Sequence, residues 1–377
     1  MCRGGDRSAR THALALALTR SLIGSSFMKA LQKTAPSFGV EFRDVARPVP
    51  RPGEALIEIT AAGVCGTDVH IFEWSGGYEF MAPLLPLTLG HEFAGRVIDV
   101  VGDANGLAPG ALVAVIPSAP CGSCAHCLSG AAESCERRSA KGTSADGGFA
   151  PWITAPVVNC LEAPNGVDDE LAALAEPLTV AQEAVLKGGV TRGDRVLVIG
   201  PGTIGQAIAL YAHMAEAAEV VVVGKNDPLR FETLRALGFW DLVDIGDGDL
   251  ETALASRFTS QKFDIIFEAT GVPEVVQQSL AFLRKEGVLV VAGIHPHRAS
   301  LDLTRLVRER HQIRGTQRAP PNVWPRVLDS LATEGERFRH MITHRMSLDR
   351  GVEALELART RRASKIILSP VVRKRSS

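Results

Sequence analysis

The chain predicts an α/β protein in two parts, a β-rich module followed by a doubly wound parallel sheet. Three observations predict this. From Met28 to about Pro164 the sequence breaks into short apolar runs closed by Gly or Pro, the texture of strands joined by tight corners. Around Asp168 the texture changes to a helical stretch, then strand, glycine turn, helix and strand, which is one βαβ unit. Hydrophobic residues make up 46% and charged residues 22%, the balance of a globular protein with a sizeable core. At 377 residues the chain has room for two ordinary domains.

Residues 1–27 stand apart. They are rich in Arg, Ser and Ala, with Asp6 the one acid, and the apolar run Ala13–Leu18 is too short and too closely followed by Arg20 for a secretory signal. They read as a disordered N-terminal extension, with "MKALQ" from Met28 opening the folded part. "EALIEITAAGV", "GRVIDVVGD" and "ALVAVIP" are the β-like runs of the first module. "DDELAALAEPLTVAQEAVLKGG" reads as one helix stopped at Gly188–Gly189. Arg195–Ile199 is a buried strand, Val220–Val223 the next, and "FDIIFEATG" and "GVLVVAGI" continue a parallel sheet to about residue 318. Helices at "VWPRVLDSLATEG" and "LDRGVEALELARTRR" and a last strand at "KIILSP" complete the reading.

Charge excludes some functions. Lys plus Arg is 41 and Asp plus Glu 42, a net charge of −1, which argues against nucleic acid as a partner. No apolar run approaches the roughly 18 residues of a transmembrane helix, so no membrane partner is expected. The seven cysteines are an odd count with four packed closely, which suits metal ligation in a reducing, cytoplasmic setting better than a disulfide framework.

Gly200, Gly202 and Gly205 form G-x-G-x-x-G between a strand and a helix, with Thr203 and Ile204 opening that helix. In this context the first glycine permits the turn, the second lets backbone approach a pyrophosphate, and the third allows close helix–strand packing. The helix N-terminus then meets the phosphates with free N–H groups. A dinucleotide cofactor is expected. The second strand should end in an acid that holds the ribose 2′-hydroxyl of NAD, but Lys225 stands there, with Arg230 nearby and Asp227 two residues late. A cation at that point tilts the expectation toward NADP, while Asp227 leaves NAD open.

Cys121, Cys124, Cys127 and Cys135 have the spacing C-x₂-C-x₂-C-x₇-C, four thiolates able to close a tetrahedral, structural zinc site. An iron–sulfur cluster also takes four thiolates, but the spacing is not that of a ferredoxin. A second donor set is mixed. Cys65, with Thr67, Asp68 and His70 close by, and the adjacent pair His91–Glu92 offer thiolate, imidazole and carboxylate, which can leave a zinc position open for substrate. A Lewis acid beside a hydride carrier is coherent chemistry for alcohol oxidation. Gly90 and Gly95 flank the pair and are expected to let the backbone bend around the metal.

These motifs ("GVCGTDVH", "GHEFAG", the four-Cys lobe, "EPLTVAQEAV" and "GPGTIG") occur in an order that resembles the zinc-dependent medium-chain dehydrogenase/reductase family over nearly all of Met28–Pro370. Within it the chain looks most like L-threonine 3-dehydrogenases, then sorbitol and other polyol dehydrogenases. The resemblance implies a GroES-like catalytic domain from residues 28–178 and 319–377 and a Rossmann domain from 179–318. It implies a secondary alcohol as substrate (a polyol, a cyclitol or a 3-hydroxy amino acid such as threonine), oxidised to the ketone with NAD(P). It implies two zinc ions per chain and a dimer or tetramer. Cys65 and His91 would be catalytic zinc ligands, with Glu92 the third and Glu176 of "EPLTV" competing for that place. Thr67 would take the substrate's proton and His70 pass it on, Asp68 would orient His91, and Gly293 and Ile294 would lie beside the nicotinamide. Three departures from the threonine enzymes bear on substrate: Ser118 where they carry a histidine, "FAPW" at Phe149–Trp152, and Lys225 in place of their ribose acid. The alternatives are a zinc-free quinone or enoyl reductase of the same fold, or a non-catalytic cofactor-binding zinc protein.

Overall fold

A computed structural model describes residues 26–258 and 262–370. Most of the expected N-terminal extension, Cys2 included, lies outside the described residues. Its last residue does not behave as an extension, because Phe27 already pairs with Ala46 in the strand Phe27–Lys33.

The first module is built around the ten-residue strand Glu54–Gly63. Strand Glu92–Val101 lies antiparallel beside it with two register shifts, and strands Leu112–Val115 and Cys160–Glu162 continue outward from there. The chain's last described strand, Lys365–Ser369, returns to pair antiparallel with Glu54–Gly63, matching Ile367 to Gly63 and Leu368 to Ala62. A pairing three hundred residues apart in sequence thus places the closing segment against the strand that leads into Cys65.

One element of this module was not anticipated. Gly66–Glu73 is an α-helix, with Cys65 as its N-cap and the Asp68 carboxylate accepting a hydrogen bond from the Cys65 backbone N–H at 2.9 Å. That reach-back from the third helical position satisfies a donor the cap would otherwise leave free, and it starts a helix inside an otherwise β-like stretch.

The second module is a six-stranded, all-parallel sheet. Its spatial order is Leu242–Asp244, Glu219–Gly224, Arg195–Ile199, Phe263–Glu268, Leu283–Val291, Gln312–Gly315. Alternate residues face two separate cores. Val196, Val198, Val220, Val222 and Phe267 pack on helices Ala175–Gly188 and Thr203–Met214. Leu197, Ile199, Val221, Val223 and Ile266 pack on the helix pair Leu250–Arg257 and Pro273–Ser279. Burial on both faces is why these strands read as unbroken apolar runs. The run "GVLVVAGI" is not a free pairing edge, since Gln312–Gly315 covers it.

The helix expected from Asp168 to Gly189 is two, Asp169–Ala173 and Ala175–Gly188. In a single helix the Pro177 ring would collide with the Ala173 carbonyl; the break lets Pro177 fall in a first turn, where its missing N–H has no consequence. The second helix stops at Gly189 (φ 72°), as its sequence predicts. Among the described residues no helix is long and apolar enough to cross a membrane.

Candidate active site

Cys65 stands where the central strand ends and the short helix begins; His91 and Glu92 stand where the neighbouring strand begins. Strand pairing of Gly63 with Glu92 brings the two together. One ligand atom each from Cys65, His91 and Glu92 falls within 4.8 Å of the others. The glycines here also make room for their neighbours. Gly90 (φ 89°) clears the Phe149 ring, which a Cβ would approach to 2.5 Å. A Cβ at Gly95 would overlap the Glu58 carbonyl of the adjacent strand, and one at Gly63 would overlap the Glu92 carboxylate. They serve ring packing, strand pairing and the seating of Glu92, respectively.

Asp68 is fully buried. Its Oδ1 lies 3.8 Å from His91 Nδ1, too far for a hydrogen bond, and both atoms lack hydrogen-bond partners. The contact is electrostatic and turns Nδ1 toward Asp68, leaving Nε2 as the ring nitrogen free to ligate. Burial disfavours charge on His91, but the Cys65 thiolate and Asp68 outweigh it and hold the imidazole well above its ordinary value. Burial pushes the Glu176 carboxyl up to about 7, with His91 and Lys365 pulling down and Glu92 and Asp68 pushing up. Glu176 therefore faces the cluster without joining its compact three-atom set. Buried anionic donors that raise the affinity of their own histidine for a proton form a pocket suited to a cation, and a thiolate–imidazole–carboxylate set fits zinc.

Sequence reasoning missed the partner of Glu92. Lys365 Nζ lies 2.5 Å from Glu92 Oε2 and donates to the Val64 carbonyl at 2.9 Å, with both side chains 1% exposed. Burial works against the Lys365 charge, but Glu92 and Cys65 more than compensate and raise its pKa. No local pattern marks this lysine, because its partner is contributed by a distant strand.

Thr67 and His70 share a face of the short helix at i and i+3. Tyr78 donates its hydroxyl proton to Thr67 Oγ1 at 3.3 Å and stacks on the His70 ring at 6.3 Å, while His70 Nδ1 lies 3.1 Å from Ser75 Oγ. Tyr78 and Ser75 were not expected here.

The four lobe cysteines converge as their spacing predicts. Sulfur–sulfur distances are 3.4 Å (Cys124–Cys127), 3.8 Å (Cys124–Cys135) and 4.0 Å (Cys121–Cys127), with all four within 4.8 Å. Sulfurs bound at about 2.3 Å to a tetrahedral zinc stand about 3.8 Å apart, so the lobe fits that ion. The Ser123 backbone N–H holds the Cys121 thiol down to about 5, favouring the thiolate that a metal needs.

The glycine loop lies at the carboxyl ends of the parallel strands, where such sheets bind nucleotides. Gly200 has φ 115°, and a Cβ on Gly205 would overlap the Gly200 carbonyl, so neither position tolerates a side chain. Gly202 has open space in front of it. A cleft of about 400 Å³ collects Gly200, Gly202, Lys225, Asp227, Arg230 and also Arg361 from the closing segment. Thr203 and Ile204 open the helix behind the loop. Asp227 is 5% exposed and lies 3.4 Å from Arg230 Nη1, so it is not the free ribose acid.

Gly293 and Ile294 follow the strand Leu283–Val291, and a Cβ on Gly293 would come within 2.6 Å of Glu268 Oε2. Glu268 is fully buried; its Oε1 accepts from the Thr270 and Gly271 backbone N–H groups at 2.6 and 2.9 Å, and its Oε2 lies 3.2 Å from His295 Nε2. This pair fixes the two turns that flank Gly293. Ile294 is 53% exposed and presents an apolar wall outside the 400 Å³ cleft.

Residues 51–165 match the alcohol dehydrogenase GroES-like domain and residues 203–333 the zinc-binding dehydrogenase domain. The chain is 30% identical to an L-threonine 3-dehydrogenase of Bacillus licheniformis, over 91% of this chain and 99% of that protein. It is 29% identical to a sorbitol dehydrogenase of Halalkalibacterium halodurans, over 91% and 100%. Among solved structures it is similar to a Sinorhizobium meliloti protein bound to NADP (TM-score 0.82, 28% identity, 92% and 100% coverage). It is also similar to an Escherichia coli dehydrogenase in complex with NADH (TM-score 0.80, 26% identity, 92% and 100% coverage).

Proposed function

The chain belongs to the zinc-dependent medium-chain dehydrogenase family, and on that premise we propose how its residues divide the work. It is an oxidoreductase acting on a CH–OH group, with a small-molecule alcohol as substrate, zinc, and a nicotinamide cofactor. The observation that carries the assignment of residues is the compact Cys65–His91–Glu92 donor set, in a chain that also carries a nucleotide-binding sheet. In our reading Cys65, His91 and Glu92 hold the catalytic zinc, Glu176 stands by as the alternative carboxylate, and Cys121, Cys124, Cys127 and Cys135 hold a structural zinc. A zinc held there would supply Lewis acidity toward the alcohol oxygen, and a bound nicotinamide would supply the hydride acceptor.

The chain's own residues move the proton. Thr67 Oγ1 takes it from the substrate hydroxyl while releasing its own hydroxyl proton toward His70, and His70, stacked on Tyr78 and next to Ser75, passes it outward. Gly293 and Ile294 line the nicotinamide, with Glu268 holding their turn. Residues 28–178 and 319–377 form the catalytic domain and 179–318 the cofactor domain. The substrate is a secondary alcohol of the polyol, cyclitol or 3-hydroxy amino acid class, and the partner a second copy of this chain in a dimer or tetramer. Six cysteines without disulfides among the described residues support a reducing, cytoplasmic location. Lys225 and a sequestered Asp227 favour NADP over NAD.

The test is a panel of secondary alcohols, threonine and polyols included, assayed with both nicotinamides on protein of measured metal content. Two zinc per chain, ketone formation and an NADP preference are expected. One zinc or none, or a strong NAD preference, overturns the corresponding part. A finer expectation concerns Asp68. Asp68→Asn keeps an oxygen for the Cys65 N–H but removes the charge facing His91, and should weaken zinc binding there about 10- to 100-fold. Competition against a chromogenic chelator measures this, and unchanged affinity would remove Asp68 from the metal site.

A further inference from the structure

We propose that Arg361 is a specificity-determining residue for the cofactor, reaching the adenosine end of the cleft from the catalytic domain and binding the 2′-phosphate of NADP together with Lys225 and Arg230. This rests on the NADP reading above. All three cations line the same cleft as Gly200 and Gly202, yet they come from separate places in the chain. Lys225 and Arg230 follow the second strand of the parallel sheet; Arg361 follows the helix Gly351–Arg359.

The acids of the cleft are mostly engaged. Asp227 is buried against Arg230, and both Asp249 oxygens accept from Thr252, Oδ1 from its N–H at 2.8 Å and Oδ2 from its hydroxyl at 2.9 Å. Glu274, exposed on the far helix, is the third. Lys225 and Arg361 have no carboxylate partner among the described residues. Arg230 is tied to the closing segment directly, since its Nε donates to the Ala363 carbonyl at 3.3 Å. Desolvation lowers the Arg230 pKa, Asp227 opposes this, and Arg361 lowers it further, so two guanidiniums are close enough to repel. A dianion placed among such cations relieves that repulsion and accepts several charge-assisted hydrogen bonds. The 2′-hydroxyl of NAD offers neither.

The backbone points the same way. Arg361 has φ 57° and its N–H caps the Ala358 carbonyl at 3.1 Å, a helix-ending position whose left-handed conformation favours glycine. The side chain is kept there against that preference. It also makes Arg361→Gly a clean test, because glycine suits the backbone and the helix end survives.

The experiment titrates the zinc-loaded wild type, Arg361→Gly and Lys225→Ala with NADP, NAD, 2′,5′-ADP and 5′-AMP. Arg361→Gly should weaken NADP and 2′,5′-ADP by about 10-fold or more while NAD and 5′-AMP stay within about twofold. The salt dependence of NADP binding should fall with it. If the wild type itself prefers NAD, the NADP reading fails and the role of Arg361 fails with it. If the wild type prefers NADP and Lys225→Ala loses that preference while Arg361→Gly keeps it, only the inference about Arg361 is overturned. Equal weakening of NADP and NAD also overturns it, placing Arg361 on the adenine or pyrophosphate instead.

Discussion

Cys65→Ser should cut turnover by about 10³-fold or more while leaving cofactor affinity within about twofold, because losing the Lewis acid forfeits several kcal/mol of transition-state stabilisation. A serine hydroxyl stays neutral at the working pH and is a poor zinc ligand, whereas a thiolate is both charged and soft. Glu92 already belongs to the donor set, so it cannot stand in for the lost thiolate. The fold should tolerate the change. Cys65 is the N-cap of Gly66–Glu73, serine is among the preferred residues at such a position, and the Asp68 reach-back bond uses the backbone N–H, not the sulfur. The cofactor cleft is built from the parallel sheet and lies apart from Cys65. The experiment combines metal analysis, which should fall from two zinc per chain to one, with cofactor titration and steady-state turnover. Turnover retained at one zinc per chain would show that the reaction does not need this metal, and the assignment of Cys65 would fall.

The parts legible from sequence are those whose signal is local. The four-Cys lobe and the glycine loop between its strand and helix are each carried by a few neighbouring residues, and the structure gathers them as their spacing implies; the Cys65 and His91–Glu92 stretches were legible by donor type, and strand pairing of Gly63 with Glu92 joins them. The doubly wound sheet was legible because burial on both faces leaves strands without polar interruptions. What escaped is non-local. Lys365 meets Glu92, Arg361 enters the cofactor cleft, and Gln312–Gly315 covers the next strand, all through chain crossings that no window of sequence contains. The helix at Gly66–Glu73 escaped for a different reason: its start depends on a single side chain, Asp68, whose reach-back competes with an otherwise β-like context. Gly90 and Gly95 were legible as constraints, but the neighbours they clear, Phe149 and Glu58, were not, and Gly63, which clears the Glu92 carboxylate, carried no signal of its own.

The second large effect is expected at Lys365. Lys365→Met should destabilise the protein by about 3–5 kcal/mol, the cost of leaving one member of a buried ion pair uncompensated. The pair is 1% exposed on both sides, and Glu92 also faces Asp68 and Glu176, so the orphaned carboxylate would sit among like charges. The double variant Lys365→Met with Glu92→Gln removes both charges and should recover most of the loss, a strong departure from additivity. The pH dependence has a definite sign. In Lys365→Met the Glu92 carboxylate stays buried beside Asp68 and Glu176 with no ammonium opposite it, and that cost is relieved only where acid removes the charge. The deficit relative to wild type should therefore be smallest in mild acid and grow toward neutral and alkaline pH, whereas the double variant should show no such trend. Urea midpoints across pH, on wild type and both variants at matched zinc content, measure it. A loss under about 1 kcal/mol, or a deficit that shrinks as pH rises, would mean that Lys365 does not carry the charge balance of this site. In that case the Glu92–Lys365 contact would not set the charge of the site, and Glu176 would become the better candidate for the third metal ligand.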